Sequence, residues 1–178
     1  MRYLQGTKDY RLTYMHTDHL RVVGYSDANF AGCVDSIKST SRYVFFLAGG
    51  AISWRSIKQS MVATSTMEAE FIACYEATTQ ALWLKNFISG LQVVDTIQRP
   101  IQIYCDNTAA VFFSKNNKSG SRSKHIDIKY LSVREYIKKG MVIIEYTSTD
   151  AMIADPMTKG LPVKQFIGHV GRMDLYDV

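Results

Sequence analysis

The sequence predicts an α/β fold, a mixed sheet with helices packed on it. Three observations carry this expectation. Aromatic and β-branched runs with period-two patterning fill the first third of the chain. A long stripe of small apolar residues at helical spacing follows. From there strands and helices alternate, and three strands in a row before alternation imply a sheet with both antiparallel and parallel pairs.

The elements follow in order. Leu20 to Asp27 is the first strong strand, with Val23, Tyr25 and Asp27 on one face. Before it, His16-Thr17-Asp18-His19 has an i, i+3 histidine spacing but reads as a turn between strands, not as a zinc site. Arg42–Leu47 and Ala51–Ser56 are the next strands, and Ala48-Gly49-Gly50 between them is a hairpin signal. Ser65 to about Leu91 is a long helix, with Ser65 or Thr66 as its cap and Glu68 placed for a capping box. Ile101–Asp106 is a fourth strand entered after Pro100, and Asn107 caps a short helix running to about Lys115. Ser114 to Lys124 is polar and loop-like. Ile126–Lys139 is an amphipathic helix stopped by Gly140, and Met141–Thr147 is a fifth strand. A helix within Met152–Lys159 and another after Pro162 complete the pattern.

Composition narrows the class. At 178 residues the chain suits one domain with a sizeable core. Its 47% hydrophobic and 21% charged residues exclude a disordered or collagen-like chain. No apolar run reaches the ~18 residues of a membrane span, and Met1-Arg2-Tyr3-Leu4-Gln5-Gly6 has no signal-peptide core, so secretion and membrane insertion are not expected. The net charge of +5 leans toward a polyanionic partner. Three scattered cysteines, Cys33, Cys74 and Cys105, make no CxxC pair and fit a reducing compartment. Trp54, Trp83, Phe45 and Phe46 read most simply as core.

Four carboxylates could carry chemistry. Tyr25-Ser26-Asp27-Ala28-Asn29 and Tyr104-Cys105-Asp106-Asn107 each end a strand on an aspartate, and ligand sites of α/β sheets lie beyond such ends. Either aspartate alone is ordinarily a cap or turn former. On the long helix, Glu70, Cys74, Ala77, Ala81, Leu84 and Ile88 form one stripe, so Glu70 is a carboxylate on a core-facing surface. Such a group is costly unless it is paired, protonated or holding a cation, although a first-turn acid also favours the helix dipole. Glu68 lies about 200° away around the axis, so the two cannot share one role. Asp155, before Pro156, is the fourth, with a helix N-cap as its simpler reading and Asp150 as its competitor. Carboxylates without a His or Cys cluster suit Mg²⁺ or Mn²⁺. Two such ions ~4 Å apart can flank a phosphodiester.

The ordered set YSDANFAG, STSRYVFFLAGGAISWRSIKQ, STMEAEFIA, IYCDNTAA, KHIDIKY and ADPMTKGLP resembles the ribonuclease H domain of copia-type LTR retrotransposon Pol polyproteins, those of plants in particular. The resemblance covers nearly the whole chain. RYLQGTKDY is similar to the connection from reverse transcriptase, and LPVKQFIGHVGRMDL to the end of the polyprotein. Three segments are thus expected: a connecting tail over 1–19, the ribonuclease H domain over 20–160, and a helical extension over 161–178.

The resemblance implies a ribonuclease H-like fold with a five-stranded mixed sheet, order 3-2-1-4-5 by chain order of its strands, and helices on both faces. It implies cleavage of the RNA strand of RNA–DNA hybrids with two Mg²⁺ ions (Mn²⁺ as an alternative), leaving 3′-hydroxyl and 5′-phosphate ends. It further implies reverse transcriptase as a partner in the same polyprotein, and an intracellular place, in a cytoplasmic virus-like particle or the nucleus. By motif, Asp27, Glu70, Asp106 and Asp155 would hold the metal and carry catalysis. Glu70-Phe71-Ile72-Ala73 fits the motif of Glu, large apolar, any residue, Ala; Glu68 does not. The alternative function is a catalytically silent or host-adopted nucleic-acid-binding or protein-interaction module.

Asn29 and Asn107, beside the aspartates, could read ribose 2′-hydroxyls. Lys118, Arg122, Lys124 and His125 could meet the duplex backbone, with a solvated loop as the simpler reading. Lys38, Arg42, Arg55 and Lys58 are a second possible phosphate patch. The chain departs from the resembled pattern at Ser39-Thr40-Ser41-Arg42, where STSG is usual. That change is expected to touch packing or substrate, not metal binding directly. No histidine lies between Met141 and Asp155, where cellular ribonucleases H carry one in the loop before the last helix.

Overall fold

A computed structural model describes residues 8–16, 20–33, 35–92, 100–116, 124–157, 163–173 and 175–177. The strands are β1 (Tyr10–Leu12), β2 (Val23–Asn29), β3 (Thr40–Leu47), β4 (Gly50–Lys58), β5 (Ile101–Cys105), β6 (Val142–Tyr146) and β7 (Leu175–Asp177). The helices are α1 (Thr66–Gly90), α2 (Thr108–Lys115), α3 (Lys124–Lys138) and α4 (Val163–Arg172). The main sheet has five strands in the order β4-β3-β2-β5-β6. β2 and β3 pair antiparallel, as do β3 and β4, whereas β2–β5 and β5–β6 are parallel. The order is the expected one with its numbers raised by one, because the short strand β1 comes first. β1 and β7 form a separate two-stranded sheet, Tyr10 opposite Asp177, which the sequence patterning does not reveal.

The β3–β4 hairpin turns at Ala48 and Gly49, both at positive φ (53° and 84°), the geometry a two-residue hairpin loop needs. α1 begins at the Ser65 cap, whose hydroxyl accepts from the Glu68 amide. Glu68 reaches back to the Thr64 N–H (2.8 Å) and hydroxyl (2.6 Å), so it closes the helix N-terminus. Asn107 caps α2 by accepting from the Ala110 amide at 2.9 Å.

Alternation divides the core between the two faces of the sheet. On one, Phe45, Ile103, Cys105, Val142 and Ile144 meet Phe71, Cys74, Ala77 and Ala81 of α1, with Phe113 of α2 and Val133 of α3. On the other, Tyr25, Val44, Phe46 and Ala51 meet Met152, Ile153, Ala154, Met157 and Met173. Between β6 and α4 the described residues make 3-10 turns at Thr149–Ala151 and Asp155–Met157, and 152–157 do not form the α-helix expected within Met152–Lys159, whose last two residues lie outside the described ones. Met152 and Ala154 are fully buried there, and a shorter, tighter turn lets both reach the sheet. Two aromatics also depart from expectation. Phe45 and Phe46 are core, but Trp54 and Trp83 are 60% and 55% exposed, because Trp54 sits on the edge strand and Trp83 on the outer side of α1, stacked on Phe87. Among the described residues no helix is long and apolar enough to cross a membrane.

Candidate active site

The parallel pairing of β2 and β5 sets Ser26 opposite Cys105, so both strands leave the sheet at the same end. Asp27 lies one step further along β2, and Asp106 is the first residue after β5. α1 lies across these strands, and its stripe from Glu70 to Ile88 is buried throughout. That packing carries Glu70 to the strand ends, where its Oε1 accepts the Ala28 N–H at 3.2 Å. One donor atom each from Glu70, Cys105 and Asp106 lie within 4.8 Å of one another. Two acidic residues and a thiol thus share one small region, in which Glu70 and Cys105 are buried and Asp106 half-buried; Asp27 is outside that group but close enough to act on Glu70 by its charge.

The electrostatics follow from that crowding. Burial, then Cys105, Asp27 and Asp106, push Glu70 up to about 10, against the opposing pull of the Ala28 N–H. A carboxyl so placed stays protonated at neutral pH unless a cation joins it. The Cys105 thiol is raised as well, by its hydrogen bond to Cys74 and by burial. Magnesium takes oxygen ligands and only thiolate is a strong metal ligand, so Cys105 is a neutral neighbour and the hard donors are the carboxylates. Glu70 and Asp106 therefore fit a magnesium-type ion.

Asp27 is differently placed. Its partner across β3 is Arg42, and Arg42 Nη1 donates to Asp27 Oδ2 at 2.7 Å. Neither side chain is more than 2% exposed. This corrects two expectations. Arg42 is buried and so is no member of a surface phosphate patch, and the Arg in Ser39-Thr40-Ser41-Arg42 touches the candidate ligand Asp27 directly. The physical reason is register: residues directly opposite in an antiparallel pair point to the same face. Of the rest of that patch, Lys38 donates to the Ser60 carbonyl and Lys58 to Cys33 Sγ at 2.9 Å, which lowers the Cys33 thiol to about 6.

Asp155 opens the 3-10 turn and is buried, in a cleft of about 680 Å³ that it shares with Asp150, Lys164, His169 and Arg172. It is not one of the group formed by Glu70, Cys105 and Asp106. Its charge acts on His169, whose pKa is lowered by burial and by Arg172 and partly restored by Asp155. Asn29 folds over the loop, its Nδ2 within 2.5 Å of where a Gly32 Cβ would stand. Asn107 spends its side-chain oxygen on the α2 cap. Lys118 and Arg122 lie outside the described residues, as do the side chains of Lys124 and His125.

Sequence reasoning missed three neighbours: Arg42 on Asp27, Cys105 beside Glu70, and His169 near Asp155. Strand alternation could have found Cys105, since Ile101, Ile103 and Cys105 share the face that meets α1. Cross-strand register could have found Arg42 only with the β2–β3 pairing known. Nothing in the sequence brings His169 to Asp155.

The fold defined by this sheet and these helices is that of the ribonucleases H. In solved structures it superposes on LC11-RNase H1 in complex with RNA/DNA hybrid, at TM-score 0.55 and 15% identity over 76% of this chain and 92% of that one. It also superposes on the N-terminal RNase H domain of Rv2228c from Mycobacterium tuberculosis, at TM-score 0.55 and 11% identity over 85% of this chain and 97% of that chain, a fusion with maltose-binding protein. A foamy viral protease-reverse transcriptase in complex with dsDNA matches at TM-score 0.52 and 14% identity, over 75% of this chain and 25% of that one. No family model matches the chain.

By sequence the chain is similar to a segment of the Pol polyproteins of plant retrotransposons. It is 40% identical over 166 residues, 93% of its length, to the retrovirus-related Pol polyprotein from transposon TNT 1-94 of Nicotiana tabacum. It is 34% identical over 161 residues to that from transposon RE2 of Arabidopsis thaliana. The matched region spans 12% and 11% of those two polyproteins. It is also 51% identical over 84 residues to secreted RxLR effector protein 161 of Plasmopara viticola, which covers 47% of this chain and 59% of that protein.

Proposed function

We propose that the chain is an endoribonuclease that hydrolyses the RNA strand of RNA–DNA hybrids, within the reverse transcription of a retrotransposon. The observation that supports this most is the convergence of Glu70 and Asp106, with Asp27 beside them, at the shared end of β2 and β5. Asp27, Glu70, Asp106 and Asp155 would hold two Mg²⁺ ions, with Mn²⁺ as a substitute. Bound there, such ions supply an activated water and neutralise the leaving oxygen of a phosphodiester. The chain's part is to orient and to exclude. The Ala28 amide and the α1 packing hold Glu70 in one place. The fully buried β5 residues behind Asp106 fix where its carboxylate stands. Asn29, Asn107, Lys118, Arg122, Lys124 and His125 are the proposed contacts to the hybrid. The bound hybrid of one structural neighbour and the reverse transcriptase of another support hybrid as the ligand and reverse transcriptase as the partner.

The test is cleavage of labelled RNA–DNA hybrid with saturating Mg²⁺, Mn²⁺ or EDTA, beside Asp106→Asn. Metal-dependent cleavage with 3′-hydroxyl ends, lost in the variant, is expected; cleavage that persists in EDTA or in the variant overturns the assignment. One observation favours a second reading, a module that binds hybrid and leaves it intact: the buried ion pair that ties Asp27 to Arg42. Tight hybrid binding without cleavage at any metal concentration would select it.

A further inference from the structure

We propose that Arg42 is a built-in competitor of the catalytic cation: its guanidinium holds Asp27 where a divalent ion would, so this chain loads metal weakly. The inference rests on the reading of Asp27 as a metal ligand and adds its regulation.

Four observations carry it. Asp27 and Arg42 are directly opposite on β2 and β3, so the guanidinium is delivered to the carboxylate by the backbone itself. The contact is short, 2.7 Å, and charge-assisted. Both residues are fully buried, so solvent does not screen the pair or share in it. The Arg42 Nε and Nη2 nitrogens have no hydrogen-bond partner among the described residues. A buried guanidinium is normally satisfied on several nitrogens. Here Asp27 is the one anion that an ion pair of the described residues gives it.

The consequence is competition. Arginine cannot discharge by losing a proton, so its charge stays at the site at every working pH. A divalent ion binding Asp27 has to displace the guanidinium or sit beside a fixed like charge, and either lowers its affinity. Glu70 and Asp106 remain available, so the loss falls on the ion that needs Asp27. Cleavage is then expected only at metal concentrations high enough to win the exchange. The same pair stabilises the fold without metal, because Asp27 is neutralised from within.

The test uses the full chain, Arg42→Gly and Arg42→Met. Gly opens the site, whereas Met removes the charge and keeps the volume of the stem. Calorimetric titration with Mg²⁺ and with Mn²⁺ is expected to show at least fivefold tighter binding in each folded variant, and a melting temperature that rises with Mg²⁺ more than in the parent. A smaller gain in affinity overturns the proposal. A measurement on the parent needs no variant to fold: the Arg42 side-chain Nε–H resonance should move as Mn²⁺-free Mg²⁺ saturates the protein. Saturation that leaves this resonance in place overturns the proposal too. Failure of the underlying reading looks different. Variants that bind metal more tightly yet leave hybrid uncut keep Arg42 as competitor and overturn the hydrolase. Metal-dependent cleavage with unchanged metal affinity does the reverse.

Discussion

Glu70 is the residue on which the site's protonation turns. Its folded value of about 10 lies far above the ordinary carboxyl value of 4.5. Between those two values the folded state keeps a proton that the unfolded chain has released. The folded state therefore binds more protons, and stability falls as pH rises through this window. One such group contributes a slope of up to about 1.4 kcal/mol per pH unit. Urea unfolding of metal-free protein from pH 5 to 9 should show this decline, and Glu70→Gln should flatten it. An unchanged slope in the variant would assign the decline to another group. Metal binding near pH 7 should then release a proton, seen as a dependence of calorimetric heat on buffer ionisation. Arg42 sits at the opposite extreme. Replacing it by Met in the absence of metal takes the guanidinium away from a buried carboxylate, and about 3–5 kcal/mol of stability should be lost. Denaturant midpoints with and without Mg²⁺ check this, and the loss should shrink when the ion is present.

At the scale of elements, the helix starts locate the catalytic candidates. Ser65 and Glu68 end α1 at a fixed residue, and that decides where Glu70 falls over β2 and β5. Ser65→Ala should cost about 0.5–2 kcal/mol by loss of the cap. It should also lower hybrid cleavage more than Thr79→Ala, which removes a mid-helix hydroxyl bonded to the Tyr75 carbonyl at the exposed surface. Equal effects would mean that the cap acts on stability alone. Asn107 does for α2 what Ser65 does for α1, with its oxygen on the Ala110 amide. Asn107→Asp keeps that acceptor and should preserve the fold, whereas Asn107→Ala should cost about 1 kcal/mol in thermal or urea unfolding.

On the scale of the whole molecule, two cores on opposite faces of one sheet have separate sources. One is built from long helices, the other from irregular turns and the start and end of the chain. β1 and β7 join those ends, so segments over 1–19 and 161–178 that look like appendages in sequence share a sheet. Met152 is fully buried against Val44, Phe46 and Ala51 on that second face. Met152→Ala should cost about 2–5 kcal/mol in urea unfolding, as for other large-to-small core changes. A cost under 1 kcal/mol would mean that this face is loosely packed and that Asp155 rests on a weak support.

Sequence alone determined what depends on local period and local hydrogen bonding. The strands of the sheet, the α1 stripe, the Ala48-Gly49 hairpin and the Ser65 and Asn107 caps follow from residues within a few positions of one another. So does the choice of Glu70 for the core-facing side of α1, because helical spacing is local geometry. The meeting of Asp27 and Arg42 depended instead on register between β2 and β3, a property of the pair and not of either strand. The 3-10 turns of Thr149–Ala151 and Asp155–Met157 replaced a helix because Met152 and Ala154 are packed against the sheet, a burial no local propensity records. The β1–β7 pairing joins residues 10 and 177, contacts whose sequence separation leaves no periodic trace. Only the tertiary structure therefore decided which charge stands against Asp27, since that charge comes from the neighbouring strand and burial, not composition, sets its strength.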